Sequence, residues 1–164
     1  MIIAITKTAN GRLLTDTGEQ EMNVDASAAP LYYMKDIEEG KGDFVLIDIT
    51  FGIEGGKLDD PAFFSGLGVP LVNGIDIVLR KRGTDEYLSV SPTIRTNRDI
   101  NIYIPDSNVV NYETKTHDVI RAVFADNIDY SVSASMFSQI GFRINDDLSG
   151  LTWMRSFLRG FYKN

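Results

Sequence analysis

His117 is the only histidine in the 164-residue chain, and there is no cysteine. A Ser-His-Asp relay would have to run through His117, with a serine on one ring nitrogen and a carboxylate on the other. Thr116 and Asp118 flank it at the start of an alternating stretch. In a strand Asp118 points to the opposite face and does not orient the ring. No Gly-x-Ser-x-Gly elbow occurs. With one histidine, a transition-metal site would rest on carboxylates, an unusual donor set for zinc. Three acidic pairs fall in loops: Asp59-Asp60, Asp126 with Asp129, and Asp146-Asp147. Such pairs could ligate a hard cation such as Ca²⁺ or serve as the two carboxyls of a glycosidase. None has the spacing of a dedicated calcium loop. Asx turns that satisfy their own backbone account for Asn145-Asp146-Asp147 and Asp126-Asn127 without metal.

Two glycine-rich stretches fail the tests for nucleotide binding. Gly52 to Leu58 is one residue short of a phosphate loop, and Leu58 stands where the Mg²⁺-binding hydroxyl belongs. Gly66-Leu67-Gly68 opens a dinucleotide fingerprint, but Leu71 occupies the third glycine position and Pro70 disturbs the helix start. Both read as turns. The chain therefore assigns no catalytic, cofactor-binding or metal-ligating residue. The expectation is a protein that is not an enzyme and carries no cofactor.

The elements that hold these residues are strands. Ile140, Phe142 and Ile144 alternate with Gly141, Arg143 and Asn145. Asp146 to Gly150 then reads as a tight turn, and Leu151 to Tyr162 runs on without proline, so the C-terminus is expected to be a β-hairpin. Val45, Ile47, Ile49 and Phe51 share one face of an earlier strand, with Phe44, Leu46, Asp48 and Thr50 on the other. Ile75 to Leu79, Glu86 to Val90, Ile100 to Ile104, Val119 to Phe124 and Ile128 to Val132 read as further strands. Arg80-Lys81-Arg82 sits at a hairpin tip, answered by Asp85 and Glu86, and reads as a solvated turn. Leu31 to Glu39 and Ser107 to Lys115 read as short helical turns. Near the start, Ile2 to Thr6 is a strand and Asn10-Gly11 a hairpin turn. Asp16 to Asp25 is acidic, with Met22 and Val24 as its alternating apolar pair, and Ala26 to Pro30 reads as a linker. The fold expected is all-β, a two-sheet antiparallel sandwich or jelly roll with an extended N-terminal arm. Residues 1–30 form the N-terminal strand, hairpin and arm, and residues 31–164 the β-sandwich domain.

On the last strand, Trp153, Arg155, Phe157, Arg159 and Phe161 share one face, and Met154, Ser156, Leu158 and Tyr162 the other. Both faces are apolar enough for a central strand covered on two sides or for a face packed on another subunit.

Composition removes some partners. A net charge of −7 opposes binding to nucleic acid phosphates and to anionic membrane surfaces. Met1 to Lys7 is apolar for too few residues to be a secretory signal, and the longest uncharged run, Ala62 to Ile75, is broken by Gly66, Gly68, Pro70 and Gly74. No nucleic-acid or membrane partner is expected.

Gly68-Val69-Pro70-Leu71-Val72-Asn73-Gly74-Ile75, with the strand behind it, resembles small virion structural proteins of tailed bacteriophages. So does Ile144-Asn145-Asp146-Asp147-Leu148-Ser149-Gly150-Leu151, leading to a closing strand that ends in Arg159-Gly160-Phe161. The resemblance spans roughly the second two-thirds of the chain and rests on turn and strand motifs. It implies a β-sandwich that decorates a capsid or builds part of a neck, tail or baseplate, located in the virion after assembly in the host cytoplasm. It transfers no site residue. The implied role is a capsid-associated decoration or cement protein, a homo-oligomer contacting other virion proteins. A carbohydrate- or ligand-binding β-sandwich module stands as the alternative, and it would want exposed aromatic platforms beside polar groups.

Overall fold

The computed structural model describes residues 2–7, 12–15, 18–21, 24–57, 60, 62–90, 94–95, 108–113, 118–123, 131–151 and 153–163. Among these there is no helix, and the strands form two antiparallel sheets, as the alternation led us to expect. The twelve strands are β1 (Ile2–Lys7), β2 (Arg12–Thr15), β3 (Gly18–Glu21), β4 (Leu31–Asp36), β5 (Asp43–Glu54), β6 (Ile75–Lys81), β7 (Tyr87–Ser89), β8 (Asn108–Glu113), β9 (Asp118–Val123), β10 (Ser131–Val132), β11 (Phe137–Ile144) and β12 (Trp153–Lys163). The larger sheet runs β3-β2-β1-β12-β5-β9-β8, with β10 also on β5. The smaller runs β4-β11-β6-β7.

One buried cluster takes residues from both sheets. Ile75, Ile77 and Leu79 on β6 and Ile140, Phe142 and Ile144 on β11 enter it from the smaller sheet. Phe44, Leu46 and Ile53 on β5 and Met154 on β12 enter from the larger. The period of two makes each set a face. On β5 the buried positions change from even to odd numbers because the pairing with β12 slips between Arg159 and Gly160, which leaves Ile47 as an extra residue. Such a bulge shifts the alternation by one. A Cβ on Gly160 would strike the Val45 carbonyl and the Phe44 ring, so this position needs glycine.

Several expectations change. The C-terminal segment is not a hairpin. β11 pairs with β4 and β6, while β12 pairs with β1 and β5, so Asp146 to Gly150 carries the chain from one sheet to the other. Both edges of β11 are already occupied, and Leu148 and Leu151 are buried in the shared core. Leu31 to Asp36 and Asn108 to Glu113 are strands, not helical turns. Tertiary pairing outweighs local propensity there. Ala26 is not in a free linker: Val24 and Ala26 are buried in the core, and the Leu148 amide donates to the Val24 carbonyl at 2.9 Å. β1 pairs along its whole length with β12. β12 is thus a central strand with pairing on both sides. The Trp153 side chain, His117, Asp126, Asp129, Asp59 and the strand expected at Ile100 to Ile104 lie outside the described residues, and of the strand expected at Ile128 to Val132 only Ser131 and Val132 are described, as β10.

Candidate functional site

The outward face of the smaller sheet carries an unusual concentration of polar chemistry. Alternation puts Asp76, Val78 and Arg80 on the side of β6 opposite Ile75, Ile77 and Leu79, with Gln139, Gly141 and Arg143 on the same side of β11. Register places Tyr32, Arg143 and Asp76 side by side on three adjacent strands. Asp76 is buried, with 3% of its surface exposed, and pairs with Arg143. Arg143 donates from Nε at 2.9 Å and from Nη2, both to Asp76 Oδ2. Asn145 Nδ2 donates to the same oxygen at 3.0 Å. Burial by itself would lower the Arg143 pKa, but the bonds to Asp76 and to the Tyr32 phenol outweigh it and hold it above its ordinary value. The guanidinium stays charged throughout the physiological range.

Tyr32 and Tyr87 come from β4 and β7, at opposite edges of the sheet. Three inter-strand spacings amount to roughly 14 Å in a flat sheet. Their ring centroids are 4.3 Å apart and stacked, so the sheet curls and both rings lean inward across its face. Gly141 carries no side chain at the centre of that face, and a Cβ there would strike the Tyr33 carbonyl. Tyr32 keeps much of its ring in solvent.

Beside Asp76 and Arg143 opens a cleft of about 480 Å³, also lined by Ala26, Ser27, Ala28, Pro30, Val72, Asn73 and Asn145. Its volume falls in the range of small-molecule sites, though its lining is more polar than most. Asp146 fixes one wall. Its Oδ2 accepts from the Asn73 amide at 2.7 Å and the Gly74 amide at 2.6 Å, and its Oδ1 from Asn73 Nδ2 at 3.3 Å. The opposite wall, residues 26–30, is held by the Val24 to Leu148 bond and by an antiparallel bridge between Asp25 and Asp147.

The acidic pairs divide accordingly. Asp147 accepts from the Ser149 amide at 2.8 Å, the Asx turn expected there, and Asp60 accepts from the Ala62 amide at 3.0 Å in a turn of the same kind. Asp146 serves remote backbone instead of its own. Among the described residues no group of three or more His, Asp or Glu side chains converges as metal ligands do. Arg82 is not a solvated charge. Its Nη2 donates to the carbonyls of Ala134 at 2.7 Å, Phe137 at 3.0 Å and Ile37 at 3.3 Å, and Nε reaches Ala134 at 2.9 Å.

Comparison with protein-family models, with curated proteins and with solved structures finds no match. The Asp76 and Arg143 pair went unread in the sequence because its two members are 67 residues apart. One signal was available: a lone aspartate inside the apolar run Ile75 to Leu79, and a lone arginine inside Ile140 to Ile144.

Proposed function

We propose that this protein is a non-enzymatic structural component of a tailed-phage virion, capsid-associated, which works through contacts between copies of itself and with neighbouring virion proteins. The observation that carries the reading is the loop between β5 and β6. It exposes Phe63, Leu67, Val69 and Val72 at 50%, 43%, 56% and 72% of their surface. Single exposed apolar residues are ordinary, whereas four within ten positions of one loop are of the kind that marks a contact surface.

The loop is also held in shape before any contact forms. Phe64 and Ser65 are buried beneath it, and the Lys57 and Gly66 amides donate to the Phe63 carbonyl at 3.0 and 3.1 Å. Gly66 has φ +75° and lies against Gly150: a Cβ on Gly66 would sit 2.6 Å from the Gly150 carbonyl oxygen. A preformed apolar loop loses little entropy on docking. A second copy of the chain is the occupant this reading calls for, since decoration proteins assemble by repeated self-contacts.

Light scattering tests it. The full chain should run as a multiple of 18.3 kDa. The variant carrying Phe63→Asp and Val69→Asp should fall to a single chain with its melting temperature unchanged. A wild-type protein that stays a single chain at all accessible concentrations overturns self-assembly. A gene neighbourhood without capsid, portal or tail genes overturns the virion assignment.

A further inference from the structure

Asp76 has an unmet requirement. A carboxylate accepts through two oxygens, and buried polar atoms are nearly always paired. All three donors to Asp76, two from Arg143 and one from Asn145, converge on Oδ2. Among the described residues nothing donates to Oδ1, although the residue is 97% removed from solvent and borders the cleft. The cleft that Asp76 borders is a route by which a ligand donor can reach it.

The charges define that group. Arg143 and Asp76 neutralise one another. A cation entering the cleft would meet the Arg143 guanidinium, and an anion would meet the Asp76 carboxylate. A neutral ligand with a donor and an acceptor side by side meets neither penalty. Further groups lining the cleft have spare capacity. Both hydrogens of Asn145 Nδ2 are used, on Asn73 O at 3.3 Å and on Asp76, which leaves its Oδ1 as an acceptor. Asn73 Nδ2 is used on Asp146, which leaves the Asn73 side-chain oxygen as another. The Ala26, Ser27 and Ala28 wall is small, so it leaves room, and Pro30 and Val72 supply an apolar rim. Tyr32, the cross-strand neighbour of Arg143 on β4, is partly in solvent and stacks on Tyr87.

We propose that the cleft over Asp76 and Arg143 binds a neutral carbohydrate through two adjacent hydroxyls, one donating to Asp76 Oδ1 and its neighbour accepting from Arg143. Aliphatic C–H faces of the sugar rest on Pro30 and Val72. The proposal does not rest on the assembly role: it shares Val72 with the exposed loop but uses neither Phe63 nor Val69, the residues substituted to test that role.

The test is a titration of the full chain, followed by amide chemical shifts and by saturation transfer. The probes are the methyl α-glycosides of glucose, galactose and mannose. The expected result is a dissociation constant on the order of 1–10 mM for at least one of them, with shifts centred on Asn73, Asp76, Arg143 and Asn145. Ala28→Trp fills the cleft from an exposed wall position without touching the ion pair. It should abolish the shifts and leave the melting temperature alone. Asp76→Asn should weaken binding at least about tenfold, read alongside its own melting curve. Dextran separates the two sources of such a sugar. Tighter binding than the monosaccharide assigns a polymer, and equal binding assigns a single unit. The proposal is overturned if no glycoside shifts these amides up to roughly 50 mM, a level that would reveal even weak sites. Shifts that persist in Ala28→Trp, or a response to N-acetylglycinamide without one to the glycosides, overturn it equally.

Discussion

Replacing Arg82 should be among the most damaging single changes at a residue that looks superficial. The side chain sits at the tip of the β6–β7 hairpin, and its guanidinium gathers carbonyls from three places: Ile37 after β4, Ala134 before β11, and Phe137 at the start of β11. A hydrogen bond from a charged donor is worth about 1.5–3 kcal/mol, and such bonds from one group do not add. The side chain is about a quarter exposed, so water partly replaces what is lost. Arg82→Ala should therefore cost about 3 kcal/mol, a large share of a typical 5–15 kcal/mol for a domain. The ion pair with Glu39 adds little, because Glu39 is 75% exposed, and Glu39→Gln should change stability by less than about 0.5 kcal/mol. Arg82→Lys is the sharper probe. An ammonium is a point donor and cannot span three carbonyls held in a fork, so it should recover less than half of the loss. The assay is urea unfolding followed by tryptophan fluorescence, with the slope expected to stay constant and the midpoint to move. A lysine variant as stable as wild type, or an alanine variant within about 0.5 kcal/mol of it, would refute the bridging role assigned to the guanidinium.

Asp146→Ala should cost about 2 kcal/mol, because the amides of Asn73 and Gly74 both lose a charged acceptor. Differential scanning calorimetry should register a fall of roughly 4–8 °C for a chain of this size. Phe142→Ala, at a fully buried position on the central strand β11, should cost about 3–5 kcal/mol by denaturant unfolding. Asp25 titrates below the ordinary carboxylate value, first through the Ser27 hydroxyl and then through the Ser27 amide. Whatever this contact contributes is present above the unfolded-state pKa and disappears as pH falls through the lower folded value. Ser27→Ala should move the Asp25 carboxyl upward in a carbon-detected NMR titration, and an unmoved titration would contradict the contact.

Alternation made β5, β6, β9 and β11 legible, because a half-buried strand must repeat every two residues. Partners were less legible. Ile140 to Ile144 followed by an acidic turn and a second strand has the chemistry of a hairpin. The same residues serve a crossing between sheets once both edges of β11 are taken. Nothing local distinguishes the two cases, since the choice lies with β4 and β6, remote in sequence. Leu31 to Asp36 lacked a clean period because its residues are only half buried on either face. Arg82 and Asp146 were read as local turn residues, and each reaches across more than 40 positions to backbone whose location only the fold determines. The Asp76 and Arg143 site was hidden for the same reason, although a charge inside an apolar run is the trace such pairs leave.

The crossing connection explains why a cleft exists at that place. A hairpin after Ile144 would have laid β12 against β11, in the position β4 or β6 now holds. The chain instead leaves the smaller sheet at Asn145, whose amide donates to the Gly74 carbonyl at 3.0 Å, and Asp146 grips the incoming end of β6 from the other side. Leu148 and Leu151 then anchor the connection in the core between the sheets. The segment from Val24 to Pro30 arrives from the larger sheet's side and is tied to the same connection at Val24 and Asp25. Two segments that cross between sheets are thus bound together at one end of the sandwich. Ser27 and Ala28 of the first segment are small and exposed, and the cleft stays open between them and the Asp76 and Arg143 positions of β6 and β11. The Asp76 and Arg143 pair lies under that gap. Breaking a buried ion pair by removing one partner costs about 3–5 kcal/mol, whereas an apolar pair of the same volume is often no less stable. Stability alone therefore does not call for charges there, and what distinguishes this pair from an apolar one is a carboxylate oxygen that, among the described residues, receives no donor.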